Sequence, residues 1–308
     1  MSTPVGGVAA RAAPLRQSIA RSRRAGATGF LFTIPALAAF GLLIFYPFLS
    51  ALWLSLYHDT LTTRIPSFIG LRNFANLLHD PDFLAAWLTT IMFVAAATAV
   101  TVALGIAWAI ILHQKFRGRT LLRSASLLPW VVPSTVTAFL WAWIFNAQFG
   151  ILNGVLLSTG FIGEPIAWLA SSGWAMVAVV VAKTWTSIPV VMVFALAGLQ
   201  ALPQEHVEAA WIDGAGNARV IRSVILPHLS GTIGVIVMLQ AMANLQQFDI
   251  IYALTGGGPV RATSVLSIEV YRQAFQNWNL GVASAMGVFW FLTIAVPASL
   301  YIRSLFRD

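Results

Sequence analysis

Cysteine is absent from this 308-residue sequence, lysine occurs only at Lys115 and Lys183, and charged residues make up 9% of the chain. The first absence excludes disulfides, thiolate metal sites and covalent haem attachment. The scarcity of lysine excludes a phosphate-binding loop ending in Gly-Lys-Ser/Thr, since Lys183 precedes Thr184 but follows Ala182 in an apolar run. The five histidines, His58, His79, His113, His206 and His228, show no paired-ligand spacing, and no Gly-x-Ser-x-Gly elbow occurs. Metal-dependent and serine hydrolysis are therefore unsupported. So few charges beside 58% hydrophobic residues would undercoat a soluble surface, which places the chain among membrane proteins.

A hydrocarbon core about 30 Å thick takes about 20 residues of helix to cross. Six runs satisfy this: Phe30 to Tyr57, Trp87 to Leu112, Leu121 to Phe145, Trp174 to Leu199, Leu229 to Leu254 and Val282 to Leu305. Each is apolar on all faces and lacks the alternating pattern of barrel strands, so the fold class is all-α and polytopic, with six transmembrane helices. The first run continues far past Ala36-Leu37-Ala38, too long for the apolar region of a cleaved signal peptide, and is kept as a span.

The net charge of +8 is a topological signal. Arg11, Arg16, Arg21, Arg23 and Arg24 precede the first span; Lys115, Arg117, Arg119 and Arg123 follow the second; Arg219 and Arg222 follow the fourth; Arg303 and Arg307 close the sequence. With six alternating spans these all fall on one side, and the opposite loops hold only Arg64, Arg72, Arg261 and Arg272. The positive-inside rule then puts both termini in the cytoplasm, and nucleic acid is not the expected partner. Residues 1–27 read as a basic cytoplasmic arm and 28–308 as the transmembrane domain. Trp141, Trp143, Trp168, Trp174 and Trp278 lie near span ends and are expected to anchor at the membrane interface. Pro47, Pro129, Pro133, Pro189 and Pro297 fall within spans, where bends are tolerated beside other helices or a cavity.

Within the spans, polar side chains are few. Gln240, Asn244 and Gln247 are spaced i, i+4, i+7 in the fifth run, one stripe of an otherwise apolar helix, and amides offer both donors and acceptors to a hydroxyl-rich neutral substrate. Packing against a second subunit would satisfy the same stripe. Lys183 is the one full charge deep in a span, with Asp249 nearer the outer end. A proton- or ion-coupled transporter needs more intramembrane acids than this.

Against that background the segment 205–227, EHVEAAWIDGAGNARVIRSVILP, stands out. Gln204 to Trp211 suits a helix carrying Glu205 and Glu208 on one face, with Ala209 and Ala210 small enough for another surface to approach. Asp213-Gly214-Ala215-Gly216 breaks that helix, and Asn217 is expected to cap a second one that runs to Pro227. Such a loop is either a solvated connection or a docking element for a cytoplasmic partner.

Glu208-Ala209-Ala210, then Gly214, then Val224-x-Leu226-Pro227, with Asp213-Gly214-Ala215 between, resembles the EAA signature of permease subunits of binding-protein-dependent ABC importers. Val224 stands where isoleucine is usual in that signature. The likeness extends from about residue 28 to the end. Phe248-Asp249-Ile250-Ile251 and Leu254-Thr255-Gly256-Gly257-Gly258-Pro259 resemble the maltose/trehalose-type subgroup. The resemblance implies a type I importer permease in a bacterial plasma membrane, not itself an enzyme, that carries a sugar, with trehalose or maltose foremost and glycerol phosphate or another polyol as the alternative. It further implies a cytoplasmic coupling loop at 204–228, in which Glu208, Ala209, Ala210, Asp213 and Gly214 engage an ATP-hydrolysing partner. The expected assembly adds a second permease, two ATP-binding subunits that hold ATP and Mg, and an external substrate-binding protein. No cofactor or metal is expected in this chain.

Overall fold

The computed structural model describes residues 32–60 and 66–305. The basic arm expected over 1–27 lies outside the described residues, as do Arg64 and Arg307. The chain divides into two units, Met1–Leu54 and Ser55–Asp308. In the first, α1 (Phe32–Leu54) is a single helix with a π turn at Gly41–Phe45.

The second unit begins with a two-stranded antiparallel ribbon, β1 (Tyr57–His58) on β2 (Ser67–Phe68), followed by α2 (Arg72–His79). Asp80 then caps α3 (Pro81–His113): its carboxylate accepts the Asp82 N–H at 2.9 Å, and Pro81 occupies the first helical position. These cap residues explain why α3 starts earlier than Trp87, where hydropathy placed it. A second long crossing of this unit, α7 (Ser172–Gln200), follows its expected bounds and passes through Pro189 without breaking.

Helices α3 and α7 form the centre of this unit. Their outer halves meet through Phe93, Ala97, Val179 and Ala182, and their inner halves through Ile106, Ala109, Val191 and Ala195. Gly105 lets the backbones approach, because a Cβ there would stand 2.5 Å from Cγ1 of Val191. Close contact at small residues is how helices associate where lipid removes the hydrophobic drive. A buried Thr101–Thr184 hydroxyl contact of 3.3 Å crosses the same seam.

Two expected spans are not straight. The run Leu121 to Phe145 consists of α4 (Arg119–Val131) and α5 (Ser134–Ile144), set at 99°. Pro133 forces Val132 out of the helical region, to φ −71°, ψ 127°. The run Leu229 to Leu254 is likewise divided. After α6 (Ile151–Ser158) and the cytoplasmic helix α8 (Gln204–Ile212), α9 (Asn217–His228) meets α10 (Ser230–Leu245) at 71°. Beyond α10 a turn at Gln246–Phe248 precedes the separate α11 (Asp249–Thr255). The chain continues through α12 (Leu266–Tyr271), a π turn at Arg272–Gln276, and α13 (Leu280–Leu305). Counting each bent pair as one crossing gives six.

Not every tryptophan is an interface anchor. Trp168 is buried, donates Nε1–H to Asn153 at 2.9 Å, and packs edge-on against Trp174. Trp141 stacks on Phe145 and meets Trp185. These rings fill the outer core around the 146–173 connection.

Candidate functional site

The segment 204–228 folds as its sequence suggests, with one change of detail. Helix α8 follows Pro203 and ends at Asp213. Gly214, at φ +80°, donates its N–H to the carbonyl of Trp211 at 3.0 Å, and Ala215 N–H reaches that of Ala210 at 2.9 Å. This pair of bonds is the Schellman closure, which needs a left-handed residue where Gly214 stands. The next helix is capped by Gly216, whose carbonyl receives the N–H groups of Arg219 and Val220, and not by Asn217, which is the first residue inside it.

Glu208 and Ala209 are exposed and Ala210 is half-buried, while Ile212 is 86% exposed. Val207, Glu208 and Trp211 line a cleft of about 530 Å³ together with Ile110 and His113 at the end of α3 and Lys115 just beyond it. That end is pinned: Arg123 donates to the carbonyl of Leu112 at 2.8 Å, and Arg119 to those of His113 and Gln114 at 3.4 Å. Guanidinium groups there satisfy the unpaired carbonyls of a helix C-terminus and suit its dipole. Two of the residues counted in the charge asymmetry thus also fix the helix that shares this cleft with α8.

The amide stripe is altered by the break in the fifth crossing. Gln240 and Asn244 lie one turn apart on α10, 5% and 1% exposed. Gln247 lies beyond the end of that helix, so the i+7 register does not hold, yet the turn folds it back to 8% exposure with its N–H on the carbonyl of Asn244 at 3.1 Å. Asn244 donates Nδ2–H to Thr98 of α3 at 3.0 Å. Lys183 is half-buried on α7.

Residues 99–307, which include the 204–228 segment, the amides and the outer loop, match the sequence profile of the binding-protein-dependent transport system inner membrane component. The chain belongs to this family. Among relatives, this inner membrane component is 34% identical over 278 residues to the trehalose/maltose transport system permease protein of Thermococcus litoralis, covering 89% of this chain and 92% of that one. It is 32% identical over 260 residues to the sn-glycerol-3-phosphate transport system permease protein of Agrobacterium fabrum, covering 84% and 88%. In fold it is similar to a chain of the bacterial alginate ABC transporter solved in complex with an alginate pentasaccharide-bound periplasmic protein. The TM-score is 0.77 at 18% identity, over 91% of this chain and 94% of that one.

The outer loop of the transport component holds a cluster that sequence reasoning missed. Glu269, 2% exposed, accepts from Ser264 Oγ at 2.5 Å, Arg261 Nη2 at 2.7 Å and Arg272 Nη1 at 2.5 Å. Arg261 also reaches Asp82, at the outer start of α3, at 2.6 Å. Two more bonds tie the strap down: Leu266 N–H to Thr90 at 2.8 Å and Ser267 Oγ–H to the carbonyl of Gln247 at 2.8 Å. The signal available in sequence was an acid flanked by two arginines between the last spans, which topology alone treats as loop charge.

Proposed function

We propose that this chain is a permease subunit of an ATP-driven sugar importer, with trehalose or maltose as the foremost substrates. The observation that carries the reading is the exposed α8, Glu208-Ala209-Ala210 with its Schellman turn at Gly214, on the positively charged side of a six-crossing family member. A helix of that build, closed by a fixed turn and facing a cleft, suits insertion into a groove of a separate ATP-hydrolysing subunit. The nucleotide and Mg belong to that subunit. Closure of two such subunits moves α8 and, through α9, the α10 that meets it at 71° and bears the amides. Sugar passes Gln240, Asn244 and Gln247 between this chain and a second permease, after delivery by an external binding protein. The trehalose/maltose relative supports the substrate class, and the complexed periplasmic protein of the alginate transporter supports the delivery partner.

The test is purification of the tagged protein in mild detergent with identification of what accompanies it, followed by ATP hydrolysis with sugar and binding protein. Co-purification of an ATPase and a second permease, with hydrolysis stimulated by trehalose or maltose plus the binding protein, is the expected result. Glu208→Lys should insert normally yet lose at least about tenfold of the stimulated hydrolysis and of uptake, because it reverses the charge at the docking helix. Recovery of the chain with no nucleotide-hydrolysing partner would remove the basis of the reading.

A further inference from the structure

The buried amides of α10 are not equally satisfied at their two ends. Asn244 donates Nδ2–H to Thr98 Oγ1 at 3.0 Å, whereas its own Oδ1 and the Oε1 of Gln240 are buried without a hydrogen-bond partner. Thr98 is 7% exposed and comes from α3, 146 positions away, so this is a tertiary contact between two crossings. A buried carbonyl oxygen left without a donor costs about 1–3 kcal/mol. Two of them one turn apart, about 6 Å along the helix, form a pair that lacks only donors. Hydroxyl groups supply donors; deprotonated phosphate, sulfonate and carboxylate oxygens are acceptors only and would meet the pair oxygen to oxygen.

We infer that Thr98 is a positioning residue of the translocation path. By engaging the Asn244 amide nitrogen it holds the amide oxygen as the free end, so that Asn244 and Gln240, whose oxygens are closed off in the state described, together present two acceptors to the hydroxyl groups of a neutral sugar once the path opens beside α10. This rests on the reading of Asn244 as a path residue, and the experiment separates the two. The complete complex, with its binding protein and ATPase, is reconstituted in vesicles. Sugar transported per ATP hydrolysed is then measured with trehalose or maltose, whichever the wild type takes up faster.

Thr98→Val keeps the volume and removes the acceptor. The expected result is a roughly five- to tenfold fall in sugar moved per ATP, equivalent to losing about one hydrogen bond. Stimulated hydrolysis should stay within about twofold of wild type, and Thr98→Ser should restore transport. A merely structural role would lower hydrolysis and transport together, or would leave Thr98→Ser as impaired as Thr98→Val, and either result overturns the inference. Asn244→Ala is measured in parallel. If it transports like wild type, the path reading itself is wrong, as it is if the wild type takes up neither sugar. If Asn244→Ala is impaired while Thr98→Val is not, the path stands and the role of Thr98 falls, with water left as the donor to the two oxygens.

Discussion

An alanine at position 214 would touch nothing, since no atom lies within 4 Å of the Cβ it would add. The requirement for glycine there is purely conformational, set by φ +80°, and Gly214→Ala should cost about 1 kcal/mol through the left-handed backbone alone. Uptake should fall only a fewfold. Gly214→Pro both excludes that φ and removes the N–H bonded to Trp211, so uptake should be lost while membrane insertion, read from the amount of protein in washed membranes, is unchanged. Glu269 is the opposite case, a residue whose surroundings are dense. Glu269→Gln leaves Arg261 and Arg272 without their shared carboxylate and should cost about 3 kcal/mol or more, seen as a lower melting temperature in detergent. Arg261→Met should cost less, because Arg272 keeps Glu269 neutralised and the Asp82 side chain is 61% exposed.

At the scale of elements, the straight crossings were the legible part. Helices α3 and α7 announce themselves by long apolar runs, and the second half of their pairing rests on a residue that hydropathy ignores. Gly105→Val should therefore act as overpacking against Val191, with a loss of about 1–3 kcal/mol and reduced yield of folded protein by fluorescence-detected gel filtration. The bends were not legible, because summed hydropathy records composition and not direction. Pro133 predicts a bend, yet nothing in an apolar average distinguishes a kink from the 99° corner that separates α4 from α5. The turn at Gln246–Phe248 contains neither glycine nor proline, so the sequence pattern carries Gln247 onto a helix that in fact stops two residues earlier. The backbone of 204–228 is legible in the sequence apart from its second cap, since Gly214 and the small residues before it carry local conformational meaning. The Glu269 cluster is not, since it joins residues from α3, the loop and α12 that only the tertiary fold brings together.

Across the whole molecule the two ends are built differently. The outer end is tied by the Arg261–Asp82, Arg261–Glu269 and Arg272–Glu269 pairs, and the cytoplasmic end encloses an open cleft beneath α8. The lack of cysteine makes the assignment of sides directly testable: single cysteines at Val260, 93% exposed, and at Lys115 should react with an impermeant maleimide from opposite faces, Val260→Cys in intact spheroplasts and Lys115→Cys only after lysis. The strap from Gly257 to Glu269 also makes the molecule kinetically graded. Its amides at Thr263, Leu266, Ile268 and Glu269 are buried and bonded, so they should exchange for deuterium only with opening of the whole outer end, whereas the exposed α8 should exchange by local fraying. Opening is therefore expected to be frequent and local at α8 and rare at the outer end, whose shared ion pairs should let it give way only as a unit.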